Sequence, residues 1–151
     1  MWKLLPGAML LLTGVLGCRN VQPSDVVGTW TMMDRSRRHL PVELQGARGT
    51  IIVNADGSFV ASELPEVLPP TPRSQMTVRM RLSSGRGSWR LASWERAQHL
   101  HLEFRSFAMT RQDRDGSYGL PLTVSRGWSR LTLYYALGDP DEGRRAEFEK
   151  R

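Results

Sequence analysis

Gln98-His99-Leu100-His101-Leu102-Glu103-Phe104-Arg105-Ser106 decides the fold. Leu100, Leu102 and Phe104 alternate with polar residues, which puts the apolar set on one face of an extended strand and the polar set on the other. A helix would scatter the same side chains around its circumference. The alternation recurs upstream in Met76, Val78, Met80 and Leu82, and downstream in Leu131, Leu133, Tyr135 and Leu137. Each run has one face for a core and one for water.

Turn chemistry separates the runs. Asn54-Ala55-Asp56-Gly57 lies between Thr50–Val53 and Ser58–Ala61 and reads as a hairpin, with Gly57 supplying the positive φ. Ser83-Ser84-Gly85-Arg86-Gly87 and Asp139-Pro140-Asp141-Glu142-Gly143 read as further turns. The expected strands are Val27–Met33, Thr50–Asn54, Ser58–Ser62, Gln75–Leu82, Gly87–Ala92, Gln98–Ser106, Arg130–Leu137 and Arg144–Lys150. A short C-terminal helix is the alternative for the last. Asp34–Gly49 and the proline-rich Glu63–Ser74, with Pro65, Pro69, Pro70 and Pro72, are expected to stay out of the ladders. Short strands in series with no amphipathic helix imply an all-β fold, an antiparallel up-and-down barrel or half-barrel of about eight strands. Closure is the surest way to remove exposed edges.

The first eighteen residues have another character. Met1-Trp2-Lys3 carries one positive charge, and Leu4 to Gly17 carries none. As a helix that stretch would be roughly 21 Å long, against a hydrocarbon core of about 30 Å, which suits the apolar region of a secretory signal better than a span. It ends in Val15-Leu16-Gly17-Cys18. Cys18 is the sole cysteine of 151 residues, so no disulfide can form within the chain.

Val15-Leu16-Gly17-Cys18 resembles the lipobox of bacterial lipoproteins. The small Gly17 lets a signal peptidase approach the backbone, with Val15 and Leu16 filling the positions before it. The Cys18 thiol is the nucleophile that takes a thioether-linked diacylglyceryl group. The resemblance implies cleavage before Cys18 and an acyl anchor at about 0.8 kcal/mol per buried methylene. Loss of Lys3 would lower the formal charge from +6 to +5. In that family an aspartate after the cysteine marks inner-membrane retention. Arg19 therefore implies the outer membrane, with the domain in the periplasm.

Gly28-Thr29-Trp30 opens the first expected strand and Gly87-Ser88-Trp89 a later one. Gly-x-Trp on a first strand, with Asp-Gly hairpins and a Gly-Asp-Pro-Asp turn before the last strand, resembles small bacterial lipocalin-like domains. The resemblance implies that Trp30 and Trp89 plug and pack a barrel, or else touch a ligand. The layout expected is 1–17 lipoprotein signal peptide, 18–25 tether and 26–151 lipocalin-like β domain.

Other constellations are weaker. His99-x-His101-x-Glu103 shares one strand face, but zinc needs a further convergent group and His39 is the only other histidine. A solvated face is the expected reading, with no metal. Asp113-Arg114-Asp115-Gly116 is a fragment of a calcium loop and is better explained as a turn, as are Asp139, Asp141 and Glu142. Arg35-Ser36-Arg37-Arg38-His39 is a basic loop that could meet phosphate headgroups. No nucleophile elbow, Cys-His pair or phosphate-cradling glycine loop stands out, so neither an enzyme nor a cofactor is expected. Trp89-Arg90 and Trp128-Ser129-Arg130 are too few for a nucleic-acid platform. The expected function is a lipid-anchored envelope lipoprotein that binds a small apolar ligand or an envelope partner. The alternative is a filled barrel with a structural or interaction role and no ligand.

Overall fold

The computed structural model describes residues 20–68, 79–108 and 118–151. Eight antiparallel strands close into a barrel, each paired with the next and the last with the first. They are β1 (Gly28–Met32), β2 (Thr50–Val53), β3 (Ser58–Leu68), β4 (Arg79–Trp94), β5 (Ala97–Ala108), β6 (Tyr118–Arg126), β7 (Leu131–Ala136) and β8 (Arg145–Lys150). Closure is made by Trp30, Thr31 and Met32 pairing with Lys150, Glu149 and Phe148, so the fold is a full up-and-down barrel rather than a half-barrel. Two four-residue helices, α1 (Pro23–Val26) and α2 (Asp34–Arg37), flank β1. The C-terminal segment is a strand, not a helix.

The strand number agrees with the sequence expectation, but two assignments behind it are corrected. Ser83–Gly87 is no turn: it lies inside β4, so the runs expected as Gln75–Leu82 and Gly87–Ala92 belong to one strand, with 75–78 outside the described residues. Gly87 is there for close approach. Arg86 pairs with Ser106 and Gly87 with Phe104, so Arg105 is bulged out. A Cβ on Gly87 would lie 1.8 Å from the Glu103 carbonyl oxygen.

The second correction concerns proline. Pro65 lies inside β3, which continues to Leu68, and Pro121 lies inside β6, a strand the sequence periodicity misses. Beyond Ser62, β3 pairs only with β4; before Thr123, β6 pairs only with β5. Each proline therefore occupies a stretch with one open edge, where the missing N–H breaks no ladder. Pro69, Pro70 and Pro72 lie outside the described residues, as do Met76 and Val78.

Most of the alternating apolar residues fill the interior; Met80 and Leu82 depart from the expectation, being only partly buried, while Arg81 and Ser83 beside them bond to Glu66. Trp30, Ile51, Val53, Phe59, Leu100, Leu102, Phe104, Leu122, Leu133 and Phe148 are all buried. Phe59 meets Phe104 edge to face with ring centroids 4.8 Å apart, a favoured aromatic geometry. At one end the barrel is plugged. The Trp30 indole N–H donates to the Val26 carbonyl of α1 at 2.8 Å, and the Trp89 indole donates to the Asn54 carbonyl at 2.8 Å. The Lys150 ammonium sits 5.8 Å from the Trp30 ring centroid and donates to the Asp25 carbonyl.

The N-terminal segment arrives at this closed end. The Val21 N–H donates to Gln98 Oε1, the Gln98 amide returns a bond to the Val21 carbonyl, and Val21 is buried. Of the expected tether 18–25, the part from Val21 onward is thus seated on the barrel: α1 and Val21 supply the apolar cover that the end of the sheet lacks. Three turns lie at the same end: 54–57, the two-residue turn Glu95-Arg96, and 127–130. Glu95 and Arg96 have φ of +47° and +65°. A two-residue hairpin of type I′ has positive φ at both positions and favours Asn-Gly. Holding two side-chain-bearing residues there costs roughly 1–2 kcal/mol each.

Candidate functional site

The opposite end is open, and its geometry follows from the two open strand edges. A cleft of about 250 Å³ is lined by Leu64, Glu66, Phe104, Tyr118, Leu120 and Tyr135, among others. Its floor is the top of the packed core, where the rings of Phe104 and Tyr118 lie 5.9 Å apart. Pockets for drug-sized ligands run to about 300–1,000 Å³, so this cleft suits a smaller molecule or one part of a larger one.

Its polar groups form one connected set. Glu66 and Arg81 are cross-strand partners on β3 and β4, and so share a face. Glu66 Oε2 accepts from Arg81 Nε and Nη2, both at 2.8 Å, and from Ser83 Oγ at 2.6 Å. The Glu66 and Arg81 side chains are only 17% and 24% exposed, so the pair is held more firmly than an ordinary surface ion pair. Across the mouth, the Tyr135 hydroxyl donates to the Pro65 carbonyl at 2.8 Å, tying β7 to β3, two strands that do not pair with each other. The Tyr135 ring stacks on Phe148 at 6.0 Å.

Burial pushes the Tyr135 phenol well above its ordinary value, with further contributions from Tyr118 and Glu66. Tyr118 is raised in the same way, by burial first and Glu66 second, with Arg81 opposing. Both hydroxyls are therefore neutral donors at physiological pH. The mouth is chemically a small apolar basin rimmed by neutral phenols and a neutralised carboxylate–guanidinium pair.

This makes Tyr135→Phe informative. The change should cost about 1 kcal/mol at neutral pH, because the Pro65 carbonyl loses its donor. The alkaline limb carries the sign. A phenol whose folded pKa exceeds its unfolded value of about 10 favours the folded state fully below that pH, and the contribution is lost as pH rises toward the folded value. Denaturant melts above pH 10 should show a shallower decline for Tyr135→Phe than for wild type, Tyr118 supplying the remainder. Equal slopes would mean that Tyr135 is not enclosed.

The residues singled out from sequence are placed elsewhere. Trp30 is fully buried and Trp89 partly so, both at the closed end and away from the cleft. Cys18 and its neighbours Val15, Leu16 and Gly17 lie outside the described residues, as does Asp113–Gly116. His99 and Glu103 face out of the barrel: Trp94 packs on His99 at 6.1 Å, and Arg90 pairs with Glu103 at 3.3 Å. Among the described residues no three His, Cys, Asp or Glu side chains come together as a metal site. Arg35 and Arg37 pair with Glu147 and Asp34, and α2 is pinned to β8 by the Glu147 N–H donating to the buried Ser36 hydroxyl at 2.8 Å. These charges dock a loop on the barrel flank.

The mouth cluster itself escapes the sequence. Glu66 lies in a stretch whose prolines argue against a strand, Ser83 in an apparent turn, and Tyr118 on the missed strand. Only Tyr135, in the alternation of β7, shows its inward orientation in advance.

Fold and site together define a closed eight-stranded antiparallel barrel with one plugged end, a packed interior and an amphipathic mouth. No family model, curated protein or solved structure matches the chain. No helix among the described residues is long and apolar enough to cross a membrane.

Proposed function

We propose that the chain is an exported lipoprotein of the bacterial envelope, cut before Cys18 and held by lipid on that cysteine, and that its lipocalin-like barrel is a non-catalytic binding module. One observation carries the reading. An uncharged apolar run ends in Val15-Leu16-Gly17-Cys18, three residues before the chain docks on the barrel at Val21. Three residues reach at most about 11 Å, so a lipid on Cys18 would hold the plugged end at the bilayer and point the mouth away from it. Arg19 favours the outer membrane, with the barrel in the periplasm. The mouth then receives a small ligand with an apolar body, its polar group met by Tyr118 and the Glu66–Arg81 pair. Leu64, Phe104 and Leu120 supply the apolar contacts.

A second reading is favoured by the packed interior. Trp30, Phe59, Phe104 and Phe148 are all buried within the barrel, and the domain could serve as a filled scaffold for another envelope protein. Titration with small amphipathic probes, followed by chemical shifts at Tyr118 and Leu120, separates the two.

The anchor is tested by growth with a labelled fatty acid. Wild type should incorporate label and fractionate with membranes. Cys18→Ser should incorporate none and either remain a precursor of higher mass or appear in the soluble fraction. Membrane retention of wild type without label would contradict the reading.

A further inference from the structure

The plugged end carries two large apolar side chains that the core does not use. Trp94 is 63% exposed, and Trp128 stands wholly in solvent. Scattered apolar side chains on a surface are ordinary, but these two occupy adjacent turns at one end of one barrel. Trp94 precedes the Glu95-Arg96 turn between β4 and β5. Trp128 is at the tip between β6 and β7, flanked by Arg126 and by Arg130, which is 78% exposed and paired with Glu149 only at 3.7 Å.

The N-terminal segment runs between them. Val21 is bonded to Gln98, just past the first turn, and Asp25 pairs with Arg126 at 3.1 Å, beside the second. The same end holds Lys150 and Arg151. A tryptophan tip flanked by arginines suits the boundary between headgroups and acyl chains, where the indole buries its ring and guanidinium groups meet phosphate. The Glu95-Arg96 turn adds a separate observation. Both residues are held at positive φ, where Asn-Gly would be relaxed, and strain of this kind gathers where side chains have work to do.

We infer that the plugged end is a membrane-docking surface, with Trp94 and Trp128 inserting into the interfacial layer of a phospholipid bilayer and Arg96 and Arg130 contacting its phosphates. The inference rests on the Cys18 reading only for the way the domain faces. The surface itself works without the acyl chains, setting the tilt of the barrel and holding the mouth clear of the membrane.

The test uses residues 20–151, which contain all eight strands, all their pairings and the plug, and lack Cys18. The probes are vesicles of phosphatidylcholine alone and with phosphatidylglycerol. The domain should sediment with the mixed vesicles and shift its tryptophan emission to the blue. Trp94→Ser with Trp128→Ser should lower partitioning about tenfold or more while leaving the melting temperature unchanged. Arg96→Gln with Arg130→Gln should weaken binding to the anionic vesicles and flatten its salt dependence. Val42→Ser, an exposed apolar position on the loop at the other end, should change nothing. Equal binding by the double-tryptophan variant and wild type would overturn the inference, as would a wild-type domain that ignores both vesicles. Self-association abolished by the tryptophan changes would overturn it too, by assigning the surface to a second copy. Each of these outcomes leaves the acylation result untouched, so the two claims fail separately.

Discussion

Trp30→Ala should lower the stability of the barrel by about 3–5 kcal/mol, out of roughly 5–15 kcal/mol for a domain of this size. The reason is geometric. Trp30 is fully buried at the plugged end, where α1, β1 and the Lys150 side chain converge. Removing the indole opens a cavity that a closed barrel cannot collapse into, because its wall is fixed by the ladders from β1 to both β2 and β8. The Val26 carbonyl also loses its donor. Thermal or urea unfolding measures the loss. A midpoint close to wild type would mean that the plug is not part of the cooperative core.

Gly87→Ala should be nearly as damaging, at about 3 kcal/mol or more. Alanine is normally a mild replacement for glycine in a strand, since glycine itself weakens strands. Here the added methyl would meet the Glu103 carbonyl oxygen at 1.8 Å and the Phe104 Cα at 3.0 Å, both on the backbone of β5. Backbone cannot swing aside as the end of a side chain can, so β4 and β5 must separate at the bulge. Amide exchange should then rise along Ser88–Ala92 and Leu100–Phe104. Gly119, on β6 where an added Cβ meets nothing within 4 Å, is the control, and Gly119→Ala should cost less. Equal tolerance at both positions would contradict the bulge geometry.

The two tryptophan-bearing Gly-x-Trp segments show what can be read in advance. The alternation of β5 and β7 declares a β fold, because burial on one face imposes a period of two, and the aromatic plug at Trp30 is what the lipocalin-like resemblance of Gly28-Thr29-Trp30 implies. The second Gly-x-Trp is visible, but its local meaning is not: Gly87 reads as a turn because glycine serves turns, bulges and close approach alike, and only the partner strand distinguishes them. Pro65 and Pro121 hide strand for a similar reason. Their cost depends on whether a neighbour sits on the N–H side, which is a property of the closed sheet. The mouth cluster inherits both ambiguities. Glu66, Arg81 and Ser83 become neighbours only when β3 and β4 run on past the expected breaks.

Trp94 and Trp128 illustrate the converse. Their exposure cannot be told from sequence, since tryptophan is normally expected in a core, and Glu95-Arg96 carries none of the usual turn residues. The structure adds the end of the barrel that the two turns share.

The proposed cleavage and lipidation are tested most directly by the chemical state of Cys18. Intact-mass and N-terminal peptide analysis of protein isolated from the native membrane should find a chain that begins at Cys18 and is heavier than its amino acids by a diacylglyceryl group, with or without a further acyl chain on the amine. A chain that begins at Met1 with the mass of its unmodified residues would contradict both.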